Sequence, residues 1–440
     1  MAKSKPTKQT AATRTQWEPA DWHCIAFIGI ATAILFHPIL LGNAFLWEDF
    51  LYQWYPFRVF AATTMANGEM PLWNPYTFNG MPFLADIQTQ IFYLPLTAMT
   101  LFVRDGHLNS YWLEVVNILH YVLAGAGMFY LAKSFKVRQI PALFAGLTYA
   151  LSGFMVTHAI HQVMIMLVAW YPLILLFFRK SLASPEWKWV FVAALLLGHS
   201  FFAGFPQLSL FFYFFLFVFF VFELLTTFGV RGLTSKPALM MSAKAAGVII
   251  LSFGLILIQL LPTLELSQLS VRAEITFQKS TEGSMAWRQL LTLIFPKLFG
   301  TAGAEGFNYW GPGTYWYFWE TCIYSGLLPL VLSLLALRLW KQNKYVIFFL
   351  GFGVFSILFA LGGNFFLQKL FFEFVPGFSA FRNPARMGIF LTFGIALLSA
   401  FSLQHILYER KEDMPLKKII FGAAAVGALC WILIITGTLN

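Results

Sequence analysis

Gln88–Val103, QTQIFYLPLTAMTLFV, is the stretch on which the fold turns. It is apolar, but shorter than the ~20 residues a helix needs to cross a hydrocarbon core. Pro95 sits in its middle, where it would interrupt a helix. If this stretch crosses, the cluster Lys133, Lys136 and Arg138 falls outside, and every later basic loop inverts with it. If it lies on the outer surface, six basic clusters share the inner side: 1–23, 133–139, 179–188, 229–244, 338–344 and 408–418. Together they hold 20 of the 29 Lys and Arg residues, while 12 of the 19 acidic residues fall outside or at the outer ends of helices. Cytoplasmic loops are the ones enriched in Lys and Arg, so the second arrangement is the expected one.

That choice sets the topology. The N-terminus is expected inside and the C-terminus outside, with about eleven spans near 24–46, 111–132, 140–157, 162–178, 189–205, 207–228, 243–262, 320–338, 345–361, 385–407 and 419–437. Residues 1–23 form a cytoplasmic basic N-terminus, and 24–440 form a single transmembrane domain with outer loops at 47–110, 263–319 and 362–384. The first loop is rich in turn signals, including Asn67-Gly68, Asn74-Pro75 and Asn79-Gly80. Its apolar pieces are expected to pack as short surface helices.

Composition agrees with an all-α polytopic membrane protein. The chain is 440 residues, 59% hydrophobic and 11% charged, against ~25% charged in soluble domains. A net charge of +10 would suit nucleic acid, but its division among short loops points to membrane orientation instead. No nucleic-acid partner is expected; membrane lipids are. The first apolar segment follows a long basic stretch and lacks a small-residue cleavage pattern, so it reads as an uncleaved anchor. Cys24, Cys322 and Cys430 show no metal or redox spacing and read as small buried hydrophobes. The 51 Phe residues are expected to face lipid and neighbouring helices. Trp170, Tyr171, Trp187 and Trp189 read as an interfacial belt.

Chemistry, if present, centres on Trp47-Glu48-Asp49-Phe50. Two adjacent carboxylates just past the first span are a functional candidate, because ionisable groups near a bilayer are costly. Mutual repulsion and partial burial would raise one pKa toward that of a general base. The bland alternative is a solvated pair or a helix N-cap. Arg382 and Arg386 lie one turn apart at the outer end of a span and suit bidentate phosphate contacts; headgroup snorkelling is their alternative. Arg272 and Lys279 are weaker candidates of the same kind. His158 and His161 sit in a tight outer turn, where HxxH spacing permits a metal or phosphate contact without specifying one. Any divalent metal would draw on Glu48, Asp49 and His158. His199 reads as a core residue, and Gln259 and Glu265 as residues facing the same cavity or packing between helices. There is no P-loop, dinucleotide fingerprint or HExxH, so chemistry would use an activated membrane substrate or an ion gradient.

Several motifs in order carry a family resemblance. Asp49–Gln53–Pro56, Gly68-Glu69-Met70-Pro71-Leu72-Trp73-Asn74-Pro75, Gly80-Met81-Pro82 and Gln90-Ile91-Phe92-Tyr93-Leu94-Pro95 resemble the YfhO family of bacterial membrane proteins. Gly204-Phe205-Pro206-Gln207, Gln259-Leu260-Leu261-Pro262 and Phe381-Arg382-Asn383-Pro384-Ala385-Arg386 look like its later landmarks. The family is similar to the GT-C superfamily of membrane glycosyltransferases. The resemblance implies a GT-C-like fold in the bacterial plasma membrane and an extracytoplasmic active site. It implies transfer of a sugar from a polyprenyl-phosphate donor to a cell-envelope glycan or lipid acceptor. It also implies a catalytic acidic residue in the first outer loop, Asp49 as general base with Glu48 beside it, and a lipid phosphate held by Arg382, Arg386 and His161. Members of the family are usually longer, so a short member or a fragment is expected. A transporter or lipid flippase is the main alternative and a non-catalytic scaffold the other; no inverted repeat favours transport.

Overall fold

The structure, a computed structural model, describes residues 18–270, 275–303 and 306–409. Arg272, Cys430 and the expected span 419–437 lie outside the described residues. The molecule is an all-α membrane protein. Among the described residues six helical stretches are long and apolar enough to cross a membrane: Ser110–Ser134, Gln139–Thr157, Gln162–Ala183, Pro206–Phe228, Lys236–Gln268 and Pro384–Glu409. Four shorter apolar helices accompany them, at Asp21–Leu35, Lys188–Phe201, Leu327–Leu339 and Lys344–Ala360.

Local chemistry decides where these helices start and stop. Helix α1 (Asp21–Leu35) ends short of the expected 24–46, and Pro38 opens a separate turn, His37–Leu40. Proline fits a first helical turn and is costly in an interior. After a π-helical segment Phe50–Trp54 comes α2 (Tyr55–Ala66). The Asn109 side chain caps α3 (Ser110–Ser134) by accepting from Tyr111 N–H. Helix α4 (Gln139–Ala150) is continued by the turn Gly153–Thr157. The stretch expected at 162–178 is two helices, α5 (Gln162–Val168) and α6 (Tyr171–Ala183), with Pro172 in the first turn of α6. Then follow α7 (Lys188–Phe201), α8 (Pro206–Phe228) and α9 (Lys236–Gln268). With 33 residues, α9 is roughly 50 Å long, well beyond the expected 243–262, and runs into the second loop. Helix α10 (Leu327–Leu335) starts later than the expected 320–338, because Gly326 turns at φ 96° just before it. Helices α11 (Lys344–Ala360) and α12 (Ile389–Gln404) complete the set.

Helix α12 is almost wholly buried and packs on α4, α10 and α11; α3 packs on α1, α4 and α6, and α7 on α6 and α9. Phe212 and Phe215 of α8 stack with Phe390 of α12, and Phe215 meets Phe352 of α11 edge-on. The Phe-rich run is therefore inter-helix packing along this face, while Phe217 of the same helix is exposed. Close helix approach in a membrane needs small residues, and Gly125 with Gly146 supplies them between α3 and α4. A Cβ at Gly146 would sit 2.7 Å from the Gly125 carbonyl oxygen. Gly146→Val is expected to cost ~1–3 kcal/mol by overpacking, read as a lowered unfolding temperature; an unchanged temperature would contradict this packing.

Two ends follow from the connectivity. One carries the loops before α3, between α9 and α10, and between α11 and α12. The other carries the basic turns, with ion pairs Lys133–Asp21 and Arg138–Glu18. At the loop end, Gln88–Val103 forms only short pieces: 3-10 turns at Ile87–Thr89 and Ala98–Phe102 and one α turn at Leu94–Thr97. Its polar residues bind it to the bundle. Gln90 Nε2 donates to the Ala203 carbonyl at 2.7 Å and its Oε1 accepts from Gln162 at 3.1 Å. The Tyr93 hydroxyl accepts from Trp170 Nε1 at 2.8 Å and meets His120, while its ring stacks on His199 at 4.9 Å. Trp170 and Tyr171 therefore serve the interior, not an interfacial belt; the Tyr171 hydroxyl donates to Leu208 O. Helix α2 contributes Phe57 and Ala61 to a small core with Phe83 and Ile91. The third loop holds the eight-residue helix Leu367–Phe374, and the second a two-residue antiparallel pair, Ala302–Gly303 with Gly306–Phe307.

Candidate functional site

The segment before Asp49 is tied to the bundle from within. Leu46 N–H donates to Glu114 Oε1 of α3 at 2.7 Å, and Phe50 and Trp54 are buried on the other side. Between these anchors Glu48 adopts φ 53°, a left-handed conformation uncommon outside glycine and enriched at functional sites. The Glu48 carbonyl accepts from Leu51 and Tyr52 N–H and starts the next helical turn. The Asp49 side chain is left 51% exposed, with Oδ2 3.8 Å from His161 Nε2. Burial first, and then the charge of Glu320, push its pKa above the ordinary 3.8.

His161 and His158 occupy the turn between α4 and α5, their rings 5.3 Å apart. Burial lowers His161 to about 3, helped by His158 and Arg386 and opposed by Glu320. His161 is thus a neutral imidazole at neutral pH, so its approach to Asp49 is not an ion pair. Its Nδ1 is buried with no hydrogen-bond partner. His158 is fully buried; Nδ1 donates to Phe154 O at 2.8 Å. Its Nε2 lies 3.9 Å from Glu320 Oε2, beyond hydrogen-bond reach.

Glu320 is the residue that the sequence reading missed, having placed it at the start of a span. It lies in the one-turn helix Tyr317–Glu320 and receives Arg386 in a two-pronged contact, Nε to Oε2 at 2.7 Å and Nη2 to Oε1. Asn383 Nδ2 adds a third donor at 3.2 Å. Burial alone would raise this carboxyl, but Arg386 and His158 outweigh it and hold it well below the usual carboxylate range. Arg386 Nη1 in turn donates to Gln207 Oε1 at 2.9 Å, and Gln207 Nε2 donates to the Asn383 carbonyl at 3.2 Å. Gln207 was legible only as part of a short motif. An acidic residue at the end of an apolar stretch, with an arginine needing a partner, was the available signal for Glu320.

The two arginines do not act as a pair. Arg386 is committed to Glu320 and Gln207, whereas Arg382 is 44% exposed and reaches Glu282 Oε2 at 3.0 Å. Glu282 also takes Lys279 at 2.6 Å, so Arg382 and Lys279 form a small cationic rim around one carboxylate. Gln259 donates to Leu84 O at 2.8 Å and clamps the first loop, while Glu265 is exposed. His199 is a stacked core residue. Among the described residues no group of three or more His, Cys, Asp and Glu could hold a metal ion; Glu48, Asp49 and His158 do not form such a cage.

The loop end therefore joins five residues from four separated stretches in one series, Asp49, His161, His158, Glu320 and Arg386. At one end is a half-exposed carboxylate with a raised pKa; at the other is a saturated buried ion pair. Chemically this can take up a proton at Asp49 and hold a fixed charge behind it. No family model matches the chain, and no curated protein does.

Proposed function

We propose that the chain is a GT-C-like, inverting glycosyltransferase of the bacterial plasma membrane, with the loop end extracytoplasmic, the N-terminus inside and about eleven spans. The observation that carries this reading is the approach of Asp49 to a neutral His161 in front of a buried Glu320–Arg386 pair. The motif resemblance and the basic turns at the opposite end support it.

In the proposed reaction the acceptor hydroxyl oxygen attacks the anomeric carbon of a polyprenyl-phosphate sugar. The bond from that carbon to the phosphate oxygen breaks, and the hydroxyl proton passes to the Asp49 carboxylate. Polyprenyl phosphate leaves as a stable anion, so no strong acid is required. Arg382 and Lys279, being exposed, are the first groups to meet that phosphate, and their charge stabilises the leaving anion. Arg386 contributes as a fixed charge, because its donors are already shared with Glu320 and Gln207. His161 orients Asp49 and the incoming hydroxyl. An apolar groove of about 360 Å³ between α8 and α11, lined by Phe214, Phe348, Phe352 and Phe355, is the candidate for the prenyl chain. No step runs through a metal.

A general base must be ionised to act. Transfer is therefore expected to fall as pH drops through an apparent pKa above 3.8, since burial and Glu320 raise Asp49. The pH profile of sugar transfer from a polyprenyl-phosphate donor checks this. A rate that stays flat to about pH 4 would remove Asp49 as the base.

A further inference from the structure

The basic end carries a cavity lined partly by cationic side chains that the loop-end site does not use. Between α6, α8 and α9 it encloses about 830 Å³ and is lined by Arg179, Lys180, Ser184, Glu223, Met241 and Lys244, a size typical of ligand pockets. Lys244 is only 4% exposed, and its ammonium donates to the Ser184 carbonyl. Among the described residues no carboxylate lies within ion-pair distance of it. Arg179 is held by neutral groups: its Nη1 donates to Ser134 Oγ, its Nη2 to the Tyr345 hydroxyl at 3.3 Å, and its guanidinium lies 3.6 Å over the Phe135 ring. Its Nε is buried without a hydrogen-bond partner. Lys180 sits 3.3 Å from the centre of the Trp189 ring. The carboxylates nearby are already engaged, Glu223 with Lys344 at 2.7 Å and Glu186 with Lys188 at 2.6 Å.

A buried ammonium without a countercharge is strongly unfavourable. Three cations around one cavity, with Glu223, the only carboxylate lining it among the described residues, neutralised by Lys344, form a site that an anion completes. Phosphate oxygens match such a set, because arginine and lysine donors bind them by charge-assisted hydrogen bonds. The same cavity is lined by Leu176, Phe228, Met240 and Met241, so the charged group would sit beside an apolar wall.

We propose that this cavity binds a phosphate-bearing anion through Arg179, Lys180 and Lys244. Basic pockets between membrane helices can hold anionic headgroups, and a soluble phosphate compound offers the same chemistry. The inference is independent of the reaction at the opposite end.

The test is thermal unfolding of the full chain in phosphatidylcholine nanodiscs, alone, with phosphatidylglycerol included, or with added inorganic phosphate. Binding to the folded state is expected to raise the unfolding temperature by roughly 2–4 °C. Lys244→Met should start at an equal or higher temperature, because an uncompensated charge is gone, and should lose at least half of the rise. Lys180→Gln, at an exposed position that does not endanger folding, should lose a comparable part. Lys341→Gln, at an exposed lysine of the same end, should keep it. A rise with phosphatidylglycerol alone identifies a lipid headgroup; an equal rise with inorganic phosphate identifies a soluble source. No rise with either, or a rise that Lys244→Met and Lys180→Gln leave intact, overturns the proposal. So does an equal loss in Lys341→Gln, which would reduce the effect to general surface charge.

Discussion

Asp49→Asn is expected to slow sugar transfer by ~10²–10⁴-fold, the range general-base catalysis supplies, while leaving thermal stability near that of the wild type. Both halves of this expectation rest on the surroundings of Asp49. Its side chain is half exposed, and the ring that approaches its Oδ2, at 3.8 Å, is a neutral imidazole. Exchanging carboxylate for amide therefore removes no ion pair and opens no cavity, and such substitutions usually stay within ~0.5 kcal/mol. Relief of repulsion from Glu320 acts in the stabilising direction. The amide cannot accept the hydroxyl proton, so the chemical step suffers while donor binding is retained. Measuring kcat and KM beside the unfolding temperature separates these effects. A variant with unchanged kcat would take Asp49 out of the reaction, and one that unfolds early would make it a structural residue.

Glu320→Gln and Arg386→Gln are each expected to destabilise the chain by ~3–5 kcal/mol, the cost of leaving one member of a buried ion pair alone. Their side chains are 7% and 16% exposed, and the contact is two-pronged. Removing Glu320 leaves a guanidinium facing Gln207 and the Phe205 ring; removing Arg386 leaves a carboxylate with Asn383 as its remaining side-chain donor. The double variant Glu320→Gln/Arg386→Gln should be less destabilised than the sum of the singles, because no uncompensated charge remains. Additive losses measured by thermal unfolding would mean that the two residues contribute separately and that the pair does not organise this end.

Much of the architecture was legible because it follows from periodicity, proline and charge. Gln88–Val103 is short and holds Pro95, and the placement of the basic clusters makes it non-spanning; it forms short turns that Gln90 and Tyr93 pin to the bundle. Helix ends were less legible. Pro38 and Pro172 divide stretches whose hydropathy is continuous, and Gly326 delays α10 by a conformation that hydropathy does not register. Of the site, Asp49 and the two histidines could be singled out as polar groups at the membrane boundary. Glu320 could not be assigned, because its meaning comes from Arg386, 66 residues later. Distance in sequence likewise hid the engagement of Arg386 with Glu320 and Gln207. Spacing suggested a pair with Arg382, but each arginine follows its own carboxylate. The basic-end cavity was invisible for a related reason: Lys244 and Arg179 read as ordinary loop charges until packing removes their counter-ions.

The central claim is best tested by following label from a radiolabelled sugar on polyprenyl phosphate. The purified chain would be placed in proteoliposomes with a cell-envelope extract as the acceptor source and a small panel of donor sugars. The account predicts time-dependent passage of label from the prenyl carrier into the acceptor fraction for at least one donor, with Asp49→Asn inactive. Label that stays on the carrier with every donor, or that crosses the bilayer still attached to it, would contradict transfer; the second result would make the chain a lipid transporter.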